Sequence, residues 1–330
     1  MPNIRLALRT LFKSPFITLV AILSLALGIG ANSAIFSLYD QMIMRRLPVP
    51  NPGELVNFKS PGPKPGSNSC GQAGGCNEIF SYPMFKDLEK AQTSFTGIAA
   101  HRNFGGSLGY QGTSLSGNGL TVSGSYFPVL GLTPALGRLL TPEDDKTAGA
   151  HFVVVLSHDY WRTRFNLNPN VLNETLVVNG QAMTIVGVAP EGFHGTTLGD
   201  APDVFVPLTM RGFMQPGFKG FDNRRQYWAY LFARLKPGVS IEEATTAING
   251  PYHAIVNDVE APLQKGMSDE SMKNFKAKLI TTEIGDHGQS SFDEDAQAPL
   301  LILLAVTGTV LLIACANIAN LLLVRGRHVR

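Results

Sequence analysis

Phe16 to Tyr39 reads FITLVAILSLALGIGANSAIFSLY, and Leu300 to Val324 reads LLILLAVTGTVLLIACANIANLLLV. No charged residue occurs between Lys13 and Asp40, so the first run is an uninterrupted apolar stretch of 24 residues. As a helix it would extend about 36 Å, enough to cross a bilayer. The second run holds 15 Leu, Ile or Val residues, and each favours insertion by roughly 0.3 to 0.6 kcal/mol, so a few polar residues are tolerated. Two membrane spans are expected, over 16–44 and 299–324, with a large domain over 45–298 between them. A cleaved signal peptide is the alternative for the first run, although the apolar stretch exceeds the usual core of about 7 to 15 residues.

Charge then orients the chain. Residues 1–15 and 325–330 carry six of the 27 basic residues and no acidic ones, leaving 21 basic against 25 acidic between them. Arg5, Arg9 and Lys13 precede the first span, and Arg325, Arg327 and Arg330 follow the second. The positive-inside rule therefore puts both termini in the cytoplasm and the middle outside. Arg45 and Arg46 dissent, but they head a long translocated segment, where charge has little weight. Residues 1–15 place Ile4, Leu8, Leu11 and Phe12 on one helical face and the basic residues on another, the pattern of an interfacial amphipathic helix. A plain basic flank is the alternative, and 325–330 is a short cytoplasmic tail.

Within the spans, Ala26, Gly30 and Ala34 recur at i, i+4, i+8, with Gly28 and Asn32 beside them. Small residues at that spacing let helices approach closely in lipid. Asn317 and Asn320 put amides into the second span, where such groups hydrogen-bond to neighbouring helices. Cys70 and Cys76 lie in the loop CGQAGGC. An oxidising compartment allows them to pair, and two free thiols remain the alternative. Cys315 is expected to be a packing residue.

The middle alternates strand and helix signals, giving an α+β class. Strands are expected at 54–58, 98–102, 120–123, 151–156, 227–235 and 275–281, with helices at 82–92 and 126–130. An amphipathic turn follows Leu156. TLVV, Asn179-Gly180 and AMTIVGV form a hairpin signal, because Asn-Gly supplies the positive φ values of a type I′ turn. Ser240 with Glu243 makes a capping box for a helix from Ile241 to about Asn257.

A search for chemistry finds little. GLTPALGR at 131–138 has the wrong interval for a phosphate-binding loop. The seven histidines lack zinc spacing and read as surface or capping residues. Glu143-Asp144-Asp145 and Asp293-Glu294-Asp295 lack the alternating ligands of a calcium loop, and the first reads as a solvated turn or helix start. No nucleophile elbow occurs, and Asn173-Glu174-Thr175 is a sequon too short to weigh. No catalytic, cofactor or metal site is expected, and Arg224-Arg225 is too small a patch for nucleic acid.

Several phrases together are familiar: SYPMFKDL at 81–88, VSGSYFPVLGLTPALGR at 122–138, VVLSHDYWRTRF at 154–165, LVVNGQAMTIVGVAPEGFHG at 176–195 and IACANIANLLLVR at 313–325. They resemble the periplasmic core domain and second span of macrolide-exporter-type (MacB/FtsX-like) ABC transporter permeases, and most of all the long orphan permeases of Acidobacteria. The resemblance implies a porter-like part over 45–124 and 225–298 and a mostly-β, sabre-like insert over 125–224. It also implies an inner-membrane dimer, a cytoplasmic ABC ATPase partner and a periplasmic adaptor, in export or mechanotransmission. Such permeases have four spans, so the sequence reads as an N-terminal fragment that stops where the coupling segment begins. The rival readings are a two-span receptor with an outer ligand-sensing domain and a membrane-anchored envelope enzyme.

Overall fold

The computed structural model describes residues 15–40, 45–290 and 297–327. The amphipathic helix expected over 1–15, but for Pro15, and the acidic run 293–295 lie outside the described residues. The chain divides into two compact units, one of residues 1–45 with 292–330 and one of residues 46–291. In the first unit, helix α1 (Pro15–Tyr39) begins at the proline, whose fixed φ suits a first helical position.

The second unit is built on one sheet. In chain order it comprises β1 (Leu55–Lys59), β2 (Ser67–Asn68), β3 (Ile79–Ser81), α2 (Tyr82–Ala91), β4 (Phe95–Tyr110), β5 (Thr113–Val122) and α3 (Tyr126–Leu130). Then come β6 (Leu136–Gly137), β7 (Val153–Leu156), α4 (His158–Phe165), β8 (Thr175–Val178), β9 (Gln181–Val188), β10 (Val204–Pro207) and α5 (Arg211–Met214). The chain returns through β11 (Gln226–Leu235), α6 (Ile241–Ala254), α7 (Asp269–Lys276) and β12 (Thr281–Ile284). The strand order is β12-β1-β11-β4-β5-β10-β7-β9-β6, with β2 and β3 on β11 and β8 joining β4 to β9. After it, α8 (Gln297–Arg327) completes the first unit.

Both faces of β11 are covered, which explains its nearly unbroken apolar run YWAYLFARL. On one face Trp228, Leu231 and Ala233 pack with Phe85 and Leu88 of α2 and Ile248 of α6. On the other, Phe232 meets Tyr126 and Phe127 of α3, with Phe193 and Phe205. A third cluster, Leu108, Val154, Leu176, Ile185, Val204 and Met210, fills the space under β7 to β10. Arg234 of β11 satisfies the end of α3, donating to Val129 O at 2.6 Å and Leu130 O at 3.1 Å.

The α+β architecture agrees with the sequence reading, and four local expectations need correction. The two short strands expected at 98–102 and 120–123 are the inner ends of a long ribbon, β4–β5, paired from His101↔Val122 out to Tyr110↔Thr113. Two of its glycines are covered from across the ribbon: a Cβ on Gly119 would lie 2.1 Å from Phe104 Cζ, and one on Gly117 2.5 Å from Leu108 Cδ1. The strand expected at 275–281 is displaced to 281–284, because Ser268 accepts from Ser271 N and starts α7, which buries Phe275. Glu143-Asp144-Asp145 does start a helical turn and Glu143 is exposed there, yet the other two acids are not solvated. Asp144 and Asp145 are buried: Arg138 clamps the first at 2.7 and 2.8 Å, and the second accepts from Gly124 N and Thr209 N. His101 is likewise no surface residue. It is fully buried against Gln289 at 2.5 Å, and burial lowers its pKa to about 4.

Candidate functional site

Three features stand out, the first being the pair of apolar helices. Phe16, Leu27 and Leu312 are 76%, 76% and 72% exposed, so the two helices turn large apolar side chains outward along their length. Both pass the length and composition test for crossing a membrane, over Thr18–Ser37 and Leu301–Ala319. They lie side by side. The half-buried seam of α1 is Leu25, Gly28, Ala31, Asn32 and Ile35. Gly28 permits the contact, since a Cβ there would sit 2.8 Å from Leu311 Cδ1. Asn32 donates to Gly28 O at 3.0 Å and accepts from the Thr307 hydroxyl at 3.0 Å, which satisfies an amide in a setting without water.

Ala26, Gly30 and Ala34 lie exposed on α1 and are not part of this seam; a Cβ on Gly30 meets nothing within 4 Å. Asn317 is exposed on a groove of about 570 Å³ that follows the seam past Ser24, Ala31 and Thr307. The side chain of Asn320 is outside the described residues. Sequence reasoning missed Thr307, whose only signal was a hydroxyl in an apolar run.

The second feature is the anchored loop over 60–78. Cys70 and Cys76 are bonded, with their Cα atoms 5.1 Å apart. The loop they close presses Ala73 into a cluster with Ile79, Tyr227 and Tyr230. The Tyr230 hydroxyl donates to Gly74 O at 3.0 Å and accepts from Gln72 N at 3.1 Å. Arg102 reaches Ser69 with both terminal nitrogens, at 2.8 and 2.9 Å. A Gly- and Pro-rich stretch is thus held rigidly by two side chains that nothing in the stretch itself announces.

The third is a set of buried charges where the π-helical turn Ile255–Glu260 packs on β11. Glu260 is 2% exposed, and its Oε1 stands 3.8 Å from Arg224 Nη1, with neither atom hydrogen-bonded among the described residues. Burial pushes its carboxyl up to about 7, and it pushes Lys278 down to about 8 and Lys64 down to about 7. These groups change charge near neutrality. Among the described residues no group of three or more His, Cys, Asp and Glu side chains is gathered to ligate a metal.

Comparison with solved structures finds similar folds at low identity. The periplasmic region of MacB from Actinobacillus actinomycetemcomitans is 16% identical, with 71% of this chain and 89% of that one covered and a TM-score of 0.48. The extracellular domain of the ABC-type transporter YknZ from Gram-positive bacteria is 15% identical, with 60% and 94% covered and a TM-score of 0.41. No curated protein matches. The model of the MacB-like periplasmic core domain family matches residues 18–250, which is more than half of the chain, so this protein belongs to that family of ABC transporter permease components.

Proposed function

We propose that this chain is the permease part of an inner-membrane ABC system in which a cytoplasmic ATPase drives α1 and α8 and so moves the periplasmic domain, for export or mechanotransmission. The observation that carries the reading is that the family match over residues 18–250 begins in one helix fit to span a membrane and is followed by a second. The two ends of the domain are also tied to each other. Leu47 N donates to Asp286 O at 2.7 Å, and Arg46 pairs with the Asp286 carboxylate at 3.1 Å. Both ends of the outer unit are therefore held at Asp286.

Within this reading, residues 45–124 and 225–298 are the porter-like part and 125–224 the sabre-like insert. Both termini lie in the cytoplasm, two copies work together, and a periplasmic adaptor docks on the outer domain. The Cys70–Cys76 bond holds the loop that Arg102 and Tyr230 anchor, a device suited to an oxidising compartment. The protein is a transport component and not an enzyme.

The test uses the full-length permease with its ATPase in a bilayer. A spin label at the exposed Thr113 position should report a distance between the two copies that changes on ATP binding. One distance shared by the nucleotide-free, ATP and ADP states would refute the drive.

A further inference from the structure

Two arginines lie buried where β4, α5 and β11 meet. Arg102 is 4% exposed and Arg211 3%, and neither has a carboxylate partner among the described residues. Both gather on Trp228, itself 1% exposed. The Arg211 guanidinium carbon lies 4.5 Å from the centre of the Trp228 ring and 4.9 Å from that of Phe218. Arg102 donates to the Trp228 carbonyl at 3.3 Å, and its guanidinium carbon lies 5.3 Å from the centre of the Tyr230 ring.

Arg211 Nη2 donates to Gln215 Oε1 at 2.7 Å, but three N–H groups in this cluster have no acceptor among the described residues: Arg102 Nε, Arg211 Nε and Trp228 Nε1, each shut off from solvent. Buried charges are ordinarily paired, and buried donors ordinarily bonded. Aromatic faces offset part of the cost of a buried guanidinium, yet a ring face gives no acceptor to an in-plane N–H. The buried acid that reaches the turn before α5, Asp145 of the turn Pro142–Asp145, is occupied by the Gly124 and Thr209 N–H groups. A water molecule could accept a hydrogen bond but would leave two like charges together. Their repulsion is felt: burial, and after it the charge of Arg102, lower the pKa of Arg211 to about 9.

We infer that this cluster holds a small inorganic anion of halide size, with Arg102 and Arg211 supplying charge and their Nε–H groups, together with the Trp228 indole N–H, supplying the hydrogen bonds. Each of these donors is closed to solvent, which suits an ion without protons and without bulk. The anion would join three stretches of chain: β4 at Arg102, the segment leading out of β10 through α5, and the start of β11.

Trp228 makes the site readable, since Trp161 is the other of only two tryptophans. In the full chain in detergent, with Trp161→Phe and gluconate as the background anion, bromide should quench Trp228 emission along a saturating curve, and chloride should reverse the quenching competitively. Collisional access cannot produce this, because the indole is buried. Arg211→Lys keeps the charge and withdraws the Nε–H, and should weaken the apparent affinity for bromide about tenfold, the loss of one charge-assisted bond. Arg211→Met should abolish saturation; if that variant does not fold, the lysine variant decides. Linear or absent quenching in the parent protein, or an unchanged curve in Arg211→Lys, would overturn the site.

Discussion

At the scale of single residues, the outer domain keeps charge where solvent cannot reach, and Glu260 shows what that costs. Burial raises its pKa from the ordinary 4.5 to about 7. The folded chain therefore holds a proton that the unfolded chain has released anywhere between these values. The sign follows: Glu260 leaves stability intact below pH 4.5 and erodes it as pH rises to about 7, at no more than about 1.4 kcal/mol per pH unit. Denaturant unfolding of Glu260→Gln across that window should show a shallower decline than the parent, and parallel declines would remove Glu260 as the cause. Lys278 titrates above the window, at about 8. Asn179 illustrates the opposite case, a residue whose surface signal concealed tertiary bonds. Its positive φ of 48° was legible from Asn-Gly. Its side chain also accepts from Ser107 N at 2.8 Å and donates to Met214 O at 2.9 Å, pinning the hairpin to β4 and to the end of α5. Asn179→Gly preserves the turn and loses these bonds, so about 1 to 3 kcal/mol should disappear from the unfolding free energy.

Elements whose local chemistry stated their ends were readable in the sequence. The capping box at Ser240 and Glu243 forms in both directions, at 3.2 and 3.0 Å, and Ser240→Ala should cost about 1 kcal/mol. What the sequence concealed were elements justified by distant partners. In the outer half of β4–β5, Gly119 and Gly117 are glycines because Phe104 and Leu108 cover them, a cross-strand fact with no local signal. Strand β10 is four residues, too short for its periodicity to register, and it is fixed by parallel pairing with β5 and antiparallel pairing with β7. The helix pair was half legible. Small residues announced close approach, but two candidate faces existed on α1, and only contact with α8 selects Gly28 over Gly30. Cysteines at positions 32 and 307, whose native side chains lie 3.0 Å apart, provide the assay. Their oxidative crosslinking should fall severalfold with Gly28→Leu and stay unchanged with Gly30→Leu. Equal loss from both would mean that the Ala26, Gly30 and Ala34 face also carries the pairing.

For the whole molecule, orientation in the membrane rests on the charge of the flanks, and the structure bears on the two residues that oppose it. Arg46 is paired with Asp286 at 3.1 Å in the outer unit, so its charge is balanced in the folded domain. The basic residues before Pro15 and after Val324 set the bias, because Arg45 and Arg46 head a long segment whose charge weighs little. The proposed orientation would put Cys70 and Cys76 in an oxidising space, which suits their bond. Labelling with a membrane-impermeant thiol reagent tests both statements at once, in a Cys315→Ser background. Thr113→Cys, on the exposed tip of the β4–β5 ribbon, should label in intact spheroplasts. Thr10→Cys should label only after lysis, because its side lies behind the hydrocarbon barrier. Cys70 and Cys76 should stay silent in intact spheroplasts until a reductant is added, and then label together. Labelling of position 10 with position 113 protected would reverse the orientation, and ready labelling of Cys70 without reductant would leave the anchored loop to Arg102 and Tyr230 alone.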